Sequence, residues 1–244
     1  MTDPSPSSPP AAVSGGDERA AAKLAMAWTH TARFLTTASK LAELPVSELP
    51  EIAFVGRSNA GKSTAINVLT QQKRLAFASK TPGRTQHINL FELGPKLAPD
   101  ALFADLPGYG YAAVERSAKL RWQRVMADYL QTRRNLAVIV MLLDSRLGFT
   151  EIDRSLLEFV SPRVINGSVK LLVVLTKIDK LNRRERDKAV ADATRIVGAA
   201  ATDETDFALA TLSALSRVGV AEVARFLDEC VHPSRTGIAN ADDA

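Results

Sequence analysis

The sequence predicts a three-layer α/β domain on a mostly parallel six-stranded sheet with one antiparallel strand. Three observations predict it. Short apolar runs alternate with helical patterns along the chain, as parallel strands joined by crossover helices require. Several of those runs are apolar throughout instead of alternating, which marks a sheet covered on both faces. One pair of runs is joined by "GPKLAPD", which is too short for a crossover helix and predicts an antiparallel hairpin.

In chain order, "EIAFV" (51–55) is the first strand and 62–71 the first helix. "HINLFEL" (87–93) and "ALFADL" (101–106) form the hairpin, with 87–93 at or near a sheet edge. A helix at 116–133, a strand "LAVIVMLLD" (136–144) and a helix at 151–160 follow. The last units are "KLLVVLT" (170–176), a helix at 182–198, "FALATL" (207–212) and a helix at 218–230.

A length of 244 residues allows one large domain or two small ones. No apolar run approaches the ~20 residues of a membrane span, so no membrane span is expected. The Pro-, Ser-, Gly- and Ala-rich start lacks the pattern of a secretory signal and predicts a disordered tail over 1–24. The core is expected over 25–232, with a second flexible tail over 233–244. A single cysteine, Cys230, excludes an internal disulfide and suits a reducing, cytoplasmic compartment. Three scattered histidines and one cysteine make no metal cluster. A net charge of +4 is compatible with a polyanionic partner.

Three motifs carry chemistry. "GRSNAGKS", Gly56 to Ser63, follows a strand and opens a helix, and it fits the phosphate-binding pattern G-x-x-x-x-G-K-[ST]. Gly61 can adopt dihedrals that bulkier residues avoid. The loop's N–H groups and the helix start then present positive charge to phosphates. Lys62 adds a full charge for the β- and γ-phosphates, and the Ser63 hydroxyl can ligate Mg²⁺. "DLPG", Asp105 to Gly108, ends a buried strand. Its carboxylate can hold Mg²⁺ through water, and the Gly108 N–H can meet the γ-phosphate. "TKID", Thr176 to Asp179, ends another strand, at the edge where doubly wound sheets bind ligands. Asp179 can accept hydrogen bonds from N1–H and the 2-amino group of guanine, donors that adenine lacks, while the Lys177 stem can lie over the base. "LSA", Leu212 to Ala214, can offer backbone N–H groups to the guanine O6. The ligand these motifs specify is GTP, or GDP after hydrolysis, with Mg²⁺.

Together with "SKTPGRTQ" (79–86) and "DLPGYGYA" (105–112), the phosphate loop resembles the EngB family of bacterial GTPases, also called YihA or YsxC. That family is a Ras-like P-loop G domain of the translation-factor-related class, within the TrmE-Era-EngA-EngB-septin-like superfamily. The resemblance runs from about residue 30 to residue 230 of the chain, outside the two tails. It implies that Thr85 of the first switch loop completes a Mg²⁺ shell with Ser63 and Asp105, and that Lys62, Thr85 and Gly108 serve catalysis. It places Arg57, Ser58, Asn59, Ala60 and Thr64 of the first loop at the nucleotide, with Gly83, Arg84, Gln86 and His87 of the switch, Leu106 and Pro107, and Ile178, Leu212, Ser213 and Ala214. Tyr109 stands where Ras-type proteins usually carry a water-orienting glutamine, so intrinsic hydrolysis is expected to be slow. Asn59 suggests K⁺ beside the phosphates; ordinary loop hydrogen bonding is the alternative.

Two basic runs, 115–134 with Arg116, Lys119, Arg121, Arg124, Arg133 and Arg134, and "KLNRRERDK" at 180–188, are either solvated helix faces or contacts to RNA phosphates. Trp122 and Tyr129 are expected to pack instead of stacking on bases. The resemblance implies a monomeric switch that assists assembly of the large ribosomal subunit, contacts its rRNA and proteins, and is needed for normal cell division and septation. Two other readings stay open at this stage: a GTPase acting directly at the septum without ribosome binding, and a metabolic P-loop nucleotide kinase. The second lacks an obvious insertion for a lid and acceptor pocket.

Overall fold

A computed structural model describes residues 15–76, 87–109, 116–201 and 207–236, with residues 15, 116–123, 235 and 236 described by their backbone alone. Among these residues the sheet has seven strands: β1 (Arg33–Ala38), β2 (Glu51–Gly56), β3 (Ile88–Leu93), β4 (Ala101–Asp105), β5 (Leu136–Asp144), β6 (Lys170–Thr176) and β7 (Phe207–Leu212). Their order is β1-β3-β4-β2-β5-β6-β7. From β4 to β7 neighbouring strands are parallel. β3 is antiparallel to both β1 and β4, so it is the reversed strand, second from the edge.

The expected sheet of six strands is corrected to seven. β1 carries a mixed burial pattern with Phe34 and Leu35 exposed, because an edge strand buries little. Its sequence therefore lacks the apolar run that marks the others. The hairpin is as expected: Asn89 faces Asp105 and Leu93 faces Ala101 across the β3–β4 pair.

Among the described residues, six α-helices cover the sheet: α1 (Gly15–Thr29), α2 (Lys62–Leu69), α3 (Arg116–Thr132), α4 (Glu151–Ile165), α5 (Arg183–Ala200) and α6 (Val220–Val231). Side chains alternate along β2. Ile52 and Phe54 join the core beneath α1, α2 and α6, and Ala53 and Val55 join the core beneath α3, α4 and α5. The tail expected over 1–24 is corrected at its C-terminal end, where α1 begins at Gly15. Ala25 and Trp28 of α1 are buried, and Trp28 Nε1 donates to Asp100 Oδ1 at 2.8 Å. Tertiary packing outweighs a composition that suggests disorder. α4 runs through Pro162 to Ile165, past the expected end at 160, because Val164 is fully buried. α5 opens with a reciprocal cap: Glu185 N–H donates to Asn182 Oδ1 at 3.0 Å, and Asn182 N–H donates to Glu185 Oε2 at 2.9 Å. No helix among the described residues is long and apolar enough to cross a membrane.

Candidate guanine-nucleotide site

The C-terminal ends of β2, β4, β5, β6 and β7 lie along one sheet edge, and the three motifs gather there. Gly61 caps α2 at φ 94°, and Asn59 is also left-handed at φ 66°. These two reversals curl the loop between β2 and α2. Ser58 N–H donates to Tyr109 O at 2.9 Å and Ala60 N–H to Arg57 O at 3.0 Å, so these two amides are occupied. The N–H groups of Asn59, Gly61, Lys62, Ser63 and Thr64 have no acceptor among the described residues. Such a run of free donors at a helix start suits phosphate oxygens.

Lys62 is 7% exposed, and its ammonium pairs with Asp105 Oδ1 at the end of β4. Asp105 is fully buried, and its Oδ2 has no hydrogen-bond partner among the described residues. A lone buried carboxylate oxygen is costly, and a cation would satisfy it. The donor set of Asp105 with the half-buried Ser63 hydroxyl is the oxygen chemistry that Mg²⁺ prefers. No cluster of three His, Cys, Asp or Glu competes for a metal among the described residues. Gly83, Arg84, Thr85 and Gln86 lie outside the described residues. His87 is exposed and its Nδ1 lies 2.8 Å from Ser39 Oγ. The side chains of Leu106, Pro107 and Ile178 are buried, so those residues can face a ligand with their backbone alone.

Gly108 sits tightly against the phosphate loop, where an added Cβ would come within 3.3 Å of Ser58 N. Tyr109 N–H donates to Gly56 O at 3.3 Å, which extends β4 against β2. The Tyr109 ring is buried, and its hydroxyl donates to Asp153 Oδ1 at 2.8 Å. Burial and then the Asp153 charge push the Tyr109 hydroxyl far above the ordinary phenol range. A locked, neutral phenol cannot stand in for a water-orienting amide. Tyr109→Phe leaves Asp153 Oδ1 short of a donor, so thermal or urea unfolding should show a loss of about 1–3 kcal/mol.

At the "TKID" end, Thr176 Oγ1 lies 2.5 Å from Ala60 O and 3.0 Å from Leu143 O, tying β6 to the loop. Lys177 takes φ 57°, and its ammonium donates to Asn59 O at 2.6 Å and Asp144 Oδ2 at 2.8 Å. Asp179 Oδ1 accepts from Ser213 Oγ at 2.7 Å, and Lys180 lies 3.7 Å from Oδ2. The Ser213 hydrogen bond, followed by lesser backbone and Lys180 contributions, holds the Asp179 carboxyl below the usual carboxylate range against an opposing effect of burial. Ser213 N–H is spent on Val218 O at 3.0 Å, whereas the Ala214 N–H of "LSA" has no backbone acceptor among the described residues. The sequence reading missed the use of the Ser213 hydroxyl to aim Asp179. The spacing of two short motifs from different strands could not show it.

The expected packing of Tyr129 holds: it is fully buried and hydrogen-bonds Glu51. Trp122 falls outside the described side chains. Arg133 is withdrawn from the basic run because it pairs with the buried Glu51 at 2.6 Å. Arg124, Arg134 and the basic residues of 180–188 are exposed.

A strand, a Gly-bounded loop ending in Lys-Ser, a helix, and acidic residues at neighbouring strand ends define a P-loop nucleotide-binding domain. Residues 51–177 match the family model described as "50S ribosome-binding GTPase". The probable GTP-binding protein EngB of Polaromonas sp. (strain JS666) is 56% identical over 233 residues, covering 96% of this chain and 91% of that relative. The protein of the same description from Acidovorax ebreus is 60% identical over 208 residues, covering 85% and 92%. A crystal structure of a probable GTP-binding protein engB superposes with a TM-score of 0.55 at 20% identity, covering 75% of this chain and 99% of that one. The structure of Era with MgGDPNP and nucleotides 1506–1542 of 16S ribosomal RNA gives a TM-score of 0.59 at 21% identity, covering 73% and 55%. The structural likenesses establish the fold. The chain belongs to the EngB family of GTP-binding proteins and is a GTPase.

Proposed function

We propose that this GTPase works with Mg²⁺ as a switch in assembly of the large ribosomal subunit, in the cytoplasm and as a monomer, and that normal division and septation depend on it. The observation that carries the nucleotide assignment is the Asp179 carboxylate, aimed by Ser213 and held ionised at the strand edge. In this reading the free amides of Asn59, Gly61, Lys62, Ser63 and Thr64 hold the phosphates. Lys62 exchanges its contact with Asp105 for the β- and γ-phosphates. Ser63, Asp105 and Thr85 would hold Mg²⁺, which would neutralise charge developing on the phosphates. The Gly108 N–H reports the γ-phosphate to the segment that follows. Water attacks without a side-chain base, since Tyr109 is locked to Asp153.

The description of the matching family model supports a 50S partner. So does the exposed basic start of α5, where Arg183, Arg184 and Arg186 suit salt-dependent contact with RNA phosphates. The test is cosedimentation with purified 50S particles. Binding should be stronger with a non-hydrolysable GTP analogue than with GDP, and Arg183→Glu/Arg184→Glu should weaken it several-fold. Equal sedimentation in both nucleotide states, or none, refutes the switch. Asn59 is assigned to K⁺ beside the phosphates, so GTP turnover should be faster in K⁺ than in Na⁺ buffer; equal rates remove that assignment.

A further inference from the structure

Asp144 ends β5, and the β5–β6 register sets it beside Thr176, one residue before Lys177. Its side chain is 7% exposed, and both oxygens are engaged. Oδ1 accepts from Arg146 N–H at 3.1 Å and Arg146 Nε at 2.9 Å. Oδ2 accepts from Arg146 Nη2 at 2.6 Å and Lys177 Nζ at 2.8 Å. Burial alone would raise the Asp144 carboxyl, but the hydrogen bonds from Arg146 and Lys177 hold it well below the usual carboxylate range. The carboxylate is therefore a fixed anion at the rear of the phosphate loop, on the wall of a 240 Å³ cavity that Asn59 and Lys177 also line.

Asp144 supplies the counter-charge of Lys177. Lys177 is left-handed in its backbone without being glycine, and its long side chain crosses to the phosphate loop, where the Asn59 carbonyl offers a dipole but no counter-charge. Arg146, half exposed on its far side, cannot replace Asp144 because it carries the same sign as Lys177.

We propose that Asp144 is a positioning residue of the nucleotide site: it holds Lys177 across the phosphate loop and thereby sets how long guanine nucleotide stays bound. The inference rests on the proposed guanine-nucleotide site and on the expectation from "TKID" that the Lys177 stem lies over the base. Asp144 acts through Lys177, because its own acceptor positions are filled by Lys177 and Arg146.

The test is the dissociation rate of a fluorescent GDP analogue from the full chain, with GTP turnover measured beside it. Losing a charge-assisted hydrogen bond to Lys177 should speed release from Asp144→Ala by about tenfold or more. Asp144→Asn should fall between, since its amide oxygen still accepts from Lys177 without the charge. Should the alanine variant not fold, the asparagine variant carries the comparison. The kcat at saturating GTP should fall far less than release accelerates, and Asp144→Ala should add nothing on a Lys177→Ala background. Unchanged release from folded Asp144 variants, additive effects in the double variant, or a matching fall in kcat overturns the inference. If Lys177→Ala itself leaves release unchanged, the placement of Lys177 at the nucleotide fails, and the inference with it. Fast release from Lys177→Ala with wild-type release from Asp144→Ala defeats the inference alone.

Discussion

Asp179→Asn should lose GTP by roughly two to four orders of magnitude in affinity, since two hydrogen bonds to a charged acceptor are worth about 1.5–3 kcal/mol each. The substitution preserves shape. The amide that replaces the carboxylate can still accept the Ser213 hydroxyl through its oxygen, as Asp179 does at 2.7 Å. Its other terminal atom becomes an N–H₂ donor facing the N1–H and 2-amino donors of guanine, so donors meet donors. Xanthine carries a carbonyl where guanine carries the 2-amino group. The same variant should therefore gain XTP binding, which separates a rewired base pocket from a damaged fold. Competition against a fluorescent nucleotide checks both halves, and unchanged GTP affinity would remove Asp179 from base selection.

Lys62→Ala should be damaging in two distinct ways. The Lys62 side chain is 8% exposed and that of Asp105 fully buried, so removing the ammonium strands a buried anion. Breaking a buried pair by deleting one partner costs about 3–5 kcal/mol, readable by urea unfolding without nucleotide. The double variant Lys62→Ala/Asp105→Ala should recover much of that stability, because neither charge is then orphaned. It should not recover GTP turnover, because the proposed mechanism puts Lys62 on the phosphates and Asp105 at Mg²⁺. A double variant whose two destabilisations simply add would show that the ion pair is not what the single change breaks.

These outcomes mark what the sequence could and could not show. The strands that position the site are buried on both faces, so their apolar runs were visible as 51–55, 136–144 and 170–176. The phosphate loop and the two strand-end aspartates were visible because each is a contiguous motif whose chemistry depends on local spacing. What was hidden depends on distant segments meeting. Ser213 aims Asp179 across 34 residues, and Asp144 braces Lys177 across 33. In the sequence Asp144 was only the polar end of a strand. Arg133 counted toward a basic surface until Glu51, on the opposite side of the phosphate-loop motif in sequence, claimed its charge. β1 and α1 escaped for opposite reasons: an edge strand has little to bury, and an Ala-rich helix shows itself only once Ala25 and Trp28 find their neighbours.

Calorimetric titration of the wild-type chain with MgGTP and MgATP tests the central claim most directly. An ionised Asp179 beside Ser213 predicts tight GTP binding, with ATP weaker by at least about two orders of magnitude. Comparable heats and affinities for the two nucleotides would contradict it.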